Sequence, residues 1–304
     1  MRAQEIYKEA EELKNKGDLD KALEKLHISA DMGNSDAQYM LGDIYSSGKD
    51  VAQDYAQAIK YFRLSAGQGN AAAQYWLGYM YEEGLGVEKD FGEALKLYIS
   101  SGNHGYVTAQ GDLGIKYYYG HGVVRDFEEA VKWFEKASHN GDTLSMFYLA
   151  YLYECGFGAE KNLVESAKWY RKSAENGHCG AQYCLGNAYK YGKGVEKDYE
   201  EAFKWYSLSA DRGVDGAQYE LGMMYFHGNG AEKDYDKAYK WLKRSAHHGN
   251  GHAQRQLGNM YWQGIGVDKD EEQAEGWFSL ALDSPQYHDD ETITCWQNLI
   301  ENWS

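Results

Sequence analysis

His247, His248 and His252 form the densest group of metal-type ligands in the chain. Zinc would need their imidazoles to converge on one point. Adjacent His247 and His248 leave a helix on different faces, and Gly249 interrupts before His252. Solvated imidazoles at a helix C-terminus, where the dipole favours them, fit this pattern better. Cys179 and Cys184 lie five residues apart with His178 adjacent. Cys184 occupies a position where related segments carry Trp76, Tyr148 and Glu220, so it reads as a groove or half-buried thiol and not a ligand. A Gly-x-Gly-Val loop, as at Gly192 to Val195, looks like a phosphate cradle. It has no strand before it and no Lys-Ser/Thr after it, which that chemistry requires. No Ser/His/Asp order or nucleophile elbow occurs, and most carboxylates fall at cap and loop positions. The expectation is a chain with no catalytic residue, no metal and no cofactor.

The totals point the same way. Net charge is −16, from 31 basic and 47 acidic groups. That argues against a surface tracking a phosphate backbone and would steer in a basic protein or peptide. The four cysteines, Cys155, Cys179, Cys184 and Cys295, show neither CxxC spacing nor a repeating pair. A reduced, cytoplasmic chain is expected. The N-terminal residues enter an amphipathic helix with no apolar signal region, and no apolar run is long enough to span a bilayer. A periplasmic or exported protein would follow if a signal had been removed.

What positions these residues is a repeat. Leu185 recurs as Leu41, Leu77, Leu113, Leu149, Leu221 and Leu257, and Tyr189 as Tyr45, Tyr81, Tyr117, Tyr153, Tyr225 and Tyr261. Seven copies keep a 36-residue period without an insertion, so the chain is expected to be a stack of units and not two globular domains. Helices A are expected from about Ser35, Ala71, Val107, Thr143, Gly180, Gly216 and Gly251. In each, the Ala, Leu and Tyr at i, i+4 and i+8 make one apolar stripe. A glycine follows the Leu in six repeats (Gly42, Gly78, Gly114, Gly186, Gly222, Gly258), with Ala150 in the fourth. Mid-helix glycine costs about 1 kcal/mol, so close approach of a partner helix backbone is expected there. Helix A ends at the Gly192 column. Asp54, Asp90, Asp126, Asn162, Asp198, Asp234 and Asp270 then open helix B, with Glu or Gln three residues on in six repeats, as in a capping box.

One helix pair cannot bury enough apolar surface to stand alone, so each must pack on the next. Residues 1–34 form a degenerate pair in the same register, expected to cap the N-terminus with Lys8, Glu11, Glu12 and Lys14 outward. Seven repeats fill 35–284. Pro285 breaks the pattern, and residues 285–304 hold a last helix (Ile293, Trp296, Leu299, Ile300, Trp303) that either caps the stack or docks on a second chain.

The run Ala-Gln-Tyr-x-Leu-Gly-x-x-Tyr-x-x-Gly-x-Gly-Val-x-Lys-Asp-Tyr at 181–199, continuing to Ser209-Ala210 and nearly repeated at 217–246, resembles the Sel-one-like repeat family, relatives of the tetratricopeptide repeats. The resemblance covers about residues 35–283. It implies an all-α fold, a right-handed superhelical solenoid of antiparallel helix pairs with helices A lining the concave side. It also implies a non-enzymatic adaptor or scaffold. One branch of the family ties each repeat with a disulfide, and this chain lacks that regular cysteine pair.

Three variable helix-A columns, those of Met40, Asp43 and Ser47, would face the concave groove. Read across the repeats they give the expected binding residues: Trp76, Tyr79, Asp112, Tyr119, Tyr148, Tyr151, Asn187, Tyr191 and Glu220. Aromatic anchors with acids at Glu83, Asp112 and Glu220 suit a peptide carrying basic residues. The competing reading has these tyrosines lining seams between repeats. The fourth repeat departs most from the others and is expected to be the functional centre. The function expected is a protein–protein interaction scaffold with a protein or peptide partner, no nucleic acid and no membrane, as a monomer or weak homodimer. The alternatives are a neutraliser of a toxin and an exported effector.

Overall fold

A computed structural model of the chain describes residues 2–282 and 284. Among these residues there are sixteen α-helices and no strand. They are α1 (Arg2–Asn15), α2 (Leu19–Asp31), α3 (Ser35–Ser47), α4 (Tyr55–Ala66), α5 (Ala71–Glu83), α6 (Phe91–Asn103), α7 (Val107–Tyr119) and α8 (Phe127–His139). The series continues with α9 (Thr143–Cys155), α10 (Leu163–Glu175), α11 (Cys179–Tyr191), α12 (Tyr199–Asp211), α13 (Asp215–His227), α14 (Tyr235–His247), α15 (Gly251–Gln263) and α16 (Glu271–Leu282). The chain forms two compact halves, dividing within α9 between Ser145 and Met146. The proposed C-terminal helix at 285–304 lies outside the described residues.

In the N-terminal half α1/α2, α3/α4, α5/α6 and α7/α8 pack as pairs, and each second helix packs on the first helix of the next pair. The C-terminal half repeats this with α11/α12, α13/α14 and α15/α16. The Ala and Leu columns supply the core: Ala73 and Leu77 of α5 meet Ala58, Phe62 and Ala66 of α4. At the start of the chain, Ala10, Leu26 and Ala30 of the first pair pack on Ala37, Leu41 and Ile44 of α3.

Two polar columns staple the stack. A buried Gln in helix A donates from Nε2 to the carbonyl of a small residue at the end of the preceding helix B, as Gln110 does to Gly102 at 2.8 Å and Gln182 to Ala174 at 3.1 Å. A buried Ser late in helix B donates to the first carbonyl of its own helix A, as Ser101 does to Ala71 at 2.6 Å and Ser209 to Cys179 at 2.8 Å. The Gln adds a second donor to a carbonyl in the last turn of helix B that already accepts from a glycine N–H, as Gly102 does from Gly105 at 3.1 Å, so these bonds tie helix to helix. The fourth repeat carries Met146 in the Gln column.

The structure corrects two sequence expectations. The mid-helix glycines make room for a helix-B side chain and, in most repeats, not for a backbone. A Cβ on Gly42, Gly114 or Gly258 would lie 2.5 Å from the ring of Phe62, Phe134 or Phe278. Only at Gly78 is a carbonyl, that of Ala94, the nearest atom, at 3.2 Å. The capping box is half made. Each N-cap side chain accepts from the helix-B backbone, as Asp90 Oδ1 does from Glu93 N at 2.9 Å. The N-cap's own N–H is already taken by the carbonyl of the preceding repeat tyrosine, as Asp90 N by Tyr81 at 3.0 Å. The Glu that would have bonded it turns instead to a Lys three residues on, as in Glu93–Lys96 and Glu129–Lys132.

Candidate partner-binding face

The three columns expected to face a partner have different surroundings. The first is a seam between successive helices A. Asp112 on α7 accepts from Tyr75 Oη on α5 at 2.7 Å, and Glu220 on α13 pairs with Lys190 Nζ on α11 at 2.5 Å. Trp76 is half-buried against the core of its own half. Tyr148 is only 6% exposed, Cys184 4% and Glu220 8%. Tyr151, in the second column, is 8% exposed. Tyr148, Tyr151 and Glu220 therefore do not offer open side chains, and the seam reading applies to them: a large group at this helix position is covered by what packs beside it. The fourth repeat, the expected functional centre, contributes no open aromatic from these columns.

The rest of the predicted set is more accessible. Tyr79 is exposed on α5, its ring edge-to-face with Trp76 at 5.7 Å. Tyr119, at the end of α7, is exposed beside Tyr118 and stacks on His121 at 5.3 Å. In the C-terminal half Tyr191 is 56% exposed, with Lys190 Nζ 4.9 Å from its ring centre. Asn187 is half-buried, its Oδ1 accepting from Tyr206 Oη at 2.7 Å, so it positions α12 instead of greeting a ligand. Each half thus presents its own aromatic group: Trp76, Tyr79 and Tyr119 in one, Tyr191 in the other. Trp262, 48% exposed near the end of α15, was not anticipated. Its column runs Ser46, Glu82, Tyr118, Glu154, Lys190 and Phe226, and that variability was the available signal.

Two acids of the N-terminal half, Glu82 and Asp112, hold helices together. Glu82 accepts from Lys116 Nζ at 2.5 Å and from Tyr98 Oη at 2.7 Å. Burial pushes its carboxyl up, but these two donors outweigh that and hold it below the usual range. Asp112 goes the other way: burial dominates, and its carboxyl is raised despite the Tyr75 bond and the nearby Lys116 charge. A raised carboxyl weakens the folded state when ionised, and the penalty fades as pH falls through its folded value toward the unfolded one near about 3.9. Asp112→Asn keeps an acceptor for Tyr75 and removes the charge. It should raise the melting temperature at pH 7 and lose that advantage near about pH 4, as followed by thermal melts of both proteins. Of the three predicted groove acids only Glu83 is exposed, with Lys89 Nζ at 3.8 Å.

The histidines do not converge. His247 Nδ1 lies 2.6 Å from the Lys243 carbonyl and its ring is against Trp277, while His252 lies against Tyr219. Among the described residues no group of three or more His, Cys, Asp or Glu is arranged to hold a metal ion, and no helix is long and apolar enough to cross a membrane. Cys155 and Cys179 are in no disulfide, and the Cys184 thiol donates to the Gly180 carbonyl at 2.6 Å.

Helix pairs at a fixed period, stapled by Gln and Ser, make this an α-solenoid repeat protein. The Sel1 repeat model matches residues 35–70, 71–106, 107–142, 143–178, 180–214, 216–250 and 251–284, and the chain belongs to that family. Sel1 repeats serve typically as non-enzymatic scaffolds that bind proteins. Among solved structures, c5321, a protective antigen present in uropathogenic Escherichia coli strains, is 36% identical with a TM-score of 0.80, covering 93% of this chain and 60% of its own. The chain thus spans about three fifths of that protein's length. A Sel1 repeat protein from Oxalobacter formigenes is 32% identical with a TM-score of 0.64, covering 93% of this chain and 80% of its own. Immunity protein Pa5087 from Pseudomonas aeruginosa is 22% identical with a TM-score of 0.38, over 70% of this chain and 81% of its own, a likeness too low to argue from. The comparison with curated proteins finds no match.

Proposed function

We propose that this protein is a non-enzymatic scaffold that captures a protein or peptide bearing basic residues on its helix-A aromatics. The observation that carries the reading is the open rings that each half presents. Tyr79, Tyr119 and Tyr191 are large, exposed and placed at variable positions of a scaffold whose repeating positions are already used in packing. Tyrosine suits such a role because a rigid ring gives much contact area for little lost freedom. The net charge of −16 supports the sign of the partner.

The test is binding of a Lys/Arg-bearing peptide library to the full chain and to a Tyr79→Ala/Tyr119→Ala/Tyr191→Ala variant. Hot-spot aromatics contribute about 2 kcal/mol each, so affinity should fall by at least about 100-fold. The helical signal and melting temperature should stay near the parent's, because none of the three rings is in the core. Equal affinity in parent and variant would sink the assignment, as would equal binding of acidic and basic peptides.

A further inference from the structure

The C-terminal half carries a basic crevice whose cationic side chains are used neither in the repeat packing nor on the aromatic face. It lies between the end of α12 and the length of α14, with a volume of about 730 Å³. Tyr239, Lys240, Lys243 and Arg244 line it from α14, with His247 and His248 at its end. Asp211 is its one acid. All three cationic chains are exposed, and none forms an ion pair with an acid among the described residues. Lys243 and Arg244 only overlie the rings of Tyr239 and Trp241.

The fourth repeat carries Lys168, Arg171 and Lys172 at the same three positions, but there Lys168 is paired with Glu165 at 2.6 Å, and the same crevice three repeats earlier is more mixed in charge. There a cavity of about 570 Å³ is lined by Glu129, Lys132, Glu135 and Lys136, two acids against two bases. Lys132 is paired with Glu129 at 2.5 Å, and Asn140 Nδ2 donates to Gln110 Oε1 at 2.9 Å. In the sixth repeat the corresponding residues are Lys237 for Glu129, Lys243 for Glu135, Arg244 for Lys136 and His248 for Asn140, of which Lys237 lies outside the crevice lining and pairs with Asp234 at 3.2 Å. Both acids have become bases. The crevice also holds an unpaired acceptor of a kind that Gln182 and Gln254 share. Gln218, 4% exposed and part of the crevice wall, has an Oε1 that accepts no hydrogen bond from the protein. Its Nε2 is still held by Ala210 O at 3.3 Å, so the amide cannot turn to exchange the two ends without losing that bond.

We propose that this crevice is a second binding site, which takes a short acidic peptide segment. Carboxylates would meet Lys240, Lys243 and Arg244, and a backbone N–H would supply the donor that Gln218 Oε1 lacks. A peptide offers both groups at once. A long polyanion is less suited, because the chain as a whole carries a net charge of −16. A phosphate backbone continuing past the crevice would be repelled by that charge.

The test uses the full chain, a fluorescein-labelled Asp/Glu-rich decapeptide, a Gln/Ser decapeptide and a single-stranded oligonucleotide of equal charge, read by fluorescence anisotropy. The acidic peptide should bind at least tenfold more tightly than either control. Lys240→Glu/Lys243→Glu/Arg244→Glu should abolish its binding with an unchanged helical signal, and the neutral Gln triple should weaken it at least tenfold. The Tyr79→Ala/Tyr119→Ala/Tyr191→Ala variant should bind it as the parent does, which separates this site from the aromatic face. The proposal is overturned if the oligonucleotide binds more tightly, if the neutral peptide binds equally, or if binding survives charge reversal.

Discussion

Replacing Gly194 by alanine should destabilise the C-terminal half by more than about 3 kcal/mol. Gly194 sits at φ +72°, where a side chain alone costs about 1–2 kcal/mol. The larger effect is steric. A Cβ there would fall 1.9 Å from the carbonyl oxygen of Leu163 and 2.3 Å from its carbon. Leu163 is the first residue of α10, and Asn162 caps that helix through Glu165 N. The obstructing backbone can retreat only by loosening the helix start. Gly230 stands in the same relation to Tyr199, with its Cβ position 2.1 Å from that carbonyl. Gly192, two residues earlier, is the control. Its φ is +69°, but the nearest atom to an added Cβ is 3.5 Å away, so only the conformational cost of about 1 kcal/mol applies. Urea melts of Gly192→Ala and Gly194→Ala should show midpoints far apart. Equal midpoints would mean that the loop yields and that the contact with α10 stabilises nothing.

That contact illustrates what a repeat sequence reveals and what it hides. A column that recurs seven times announces that a residue is needed, and the Leu, Tyr and Gly columns gave the helix pairs and their ends within about one residue. It does not announce what the residue meets. The second loop glycine, Gly194, was visible as a column, but the neighbour it clears belongs to the preceding repeat. The capping box failed for a similar reason. Its spacing is local, whereas the group that displaced it, the Tyr81 carbonyl in the second repeat, comes from across the loop. Variable columns were harder still. Met40, Asp43 and Ser47 share one helix face by periodicity, yet which of those columns a neighbouring helix covers depends on spacing between helices. Hence Tyr148 and Tyr191 looked alike in sequence and differ about ninefold in exposure, 6% against 56%. The basic crevice needed a comparison down helix B, where Lys243 stands out only beside Glu135.

Gly114→Ala should lower stability, reversing the sign that helix propensity gives. In an open helix the change is worth about 1 kcal/mol in favour of alanine. Here the new Cβ would lie 2.5 Å from both Cδ1 and Cε1 of Phe134, which is fully buried. The ring has no solvent side to move toward, so helix and ring must separate, at a cost of roughly 1–3 kcal/mol. Phe134→Leu opens a cavity and should itself cost about 1 kcal/mol or more. In that background Gly114→Ala should cost less than in the parent, a coupling of at least about 0.5 kcal/mol in a double-mutant cycle. The sixth repeat already pairs Gly222 with Leu242 at 2.8 Å, so leucine is tolerated at that position. Ala150 gives the converse case: it is fully buried, opposite Tyr170 by register, and Ala150→Gly should destabilise by about 1 kcal/mol or more through helix propensity and the lost methyl. Both exchanges are thus expected to be harmful although they run in opposite directions. An additive cycle at Gly114 and Phe134, or a stabilised Gly114→Ala, would show that propensity and not the facing ring sets this column.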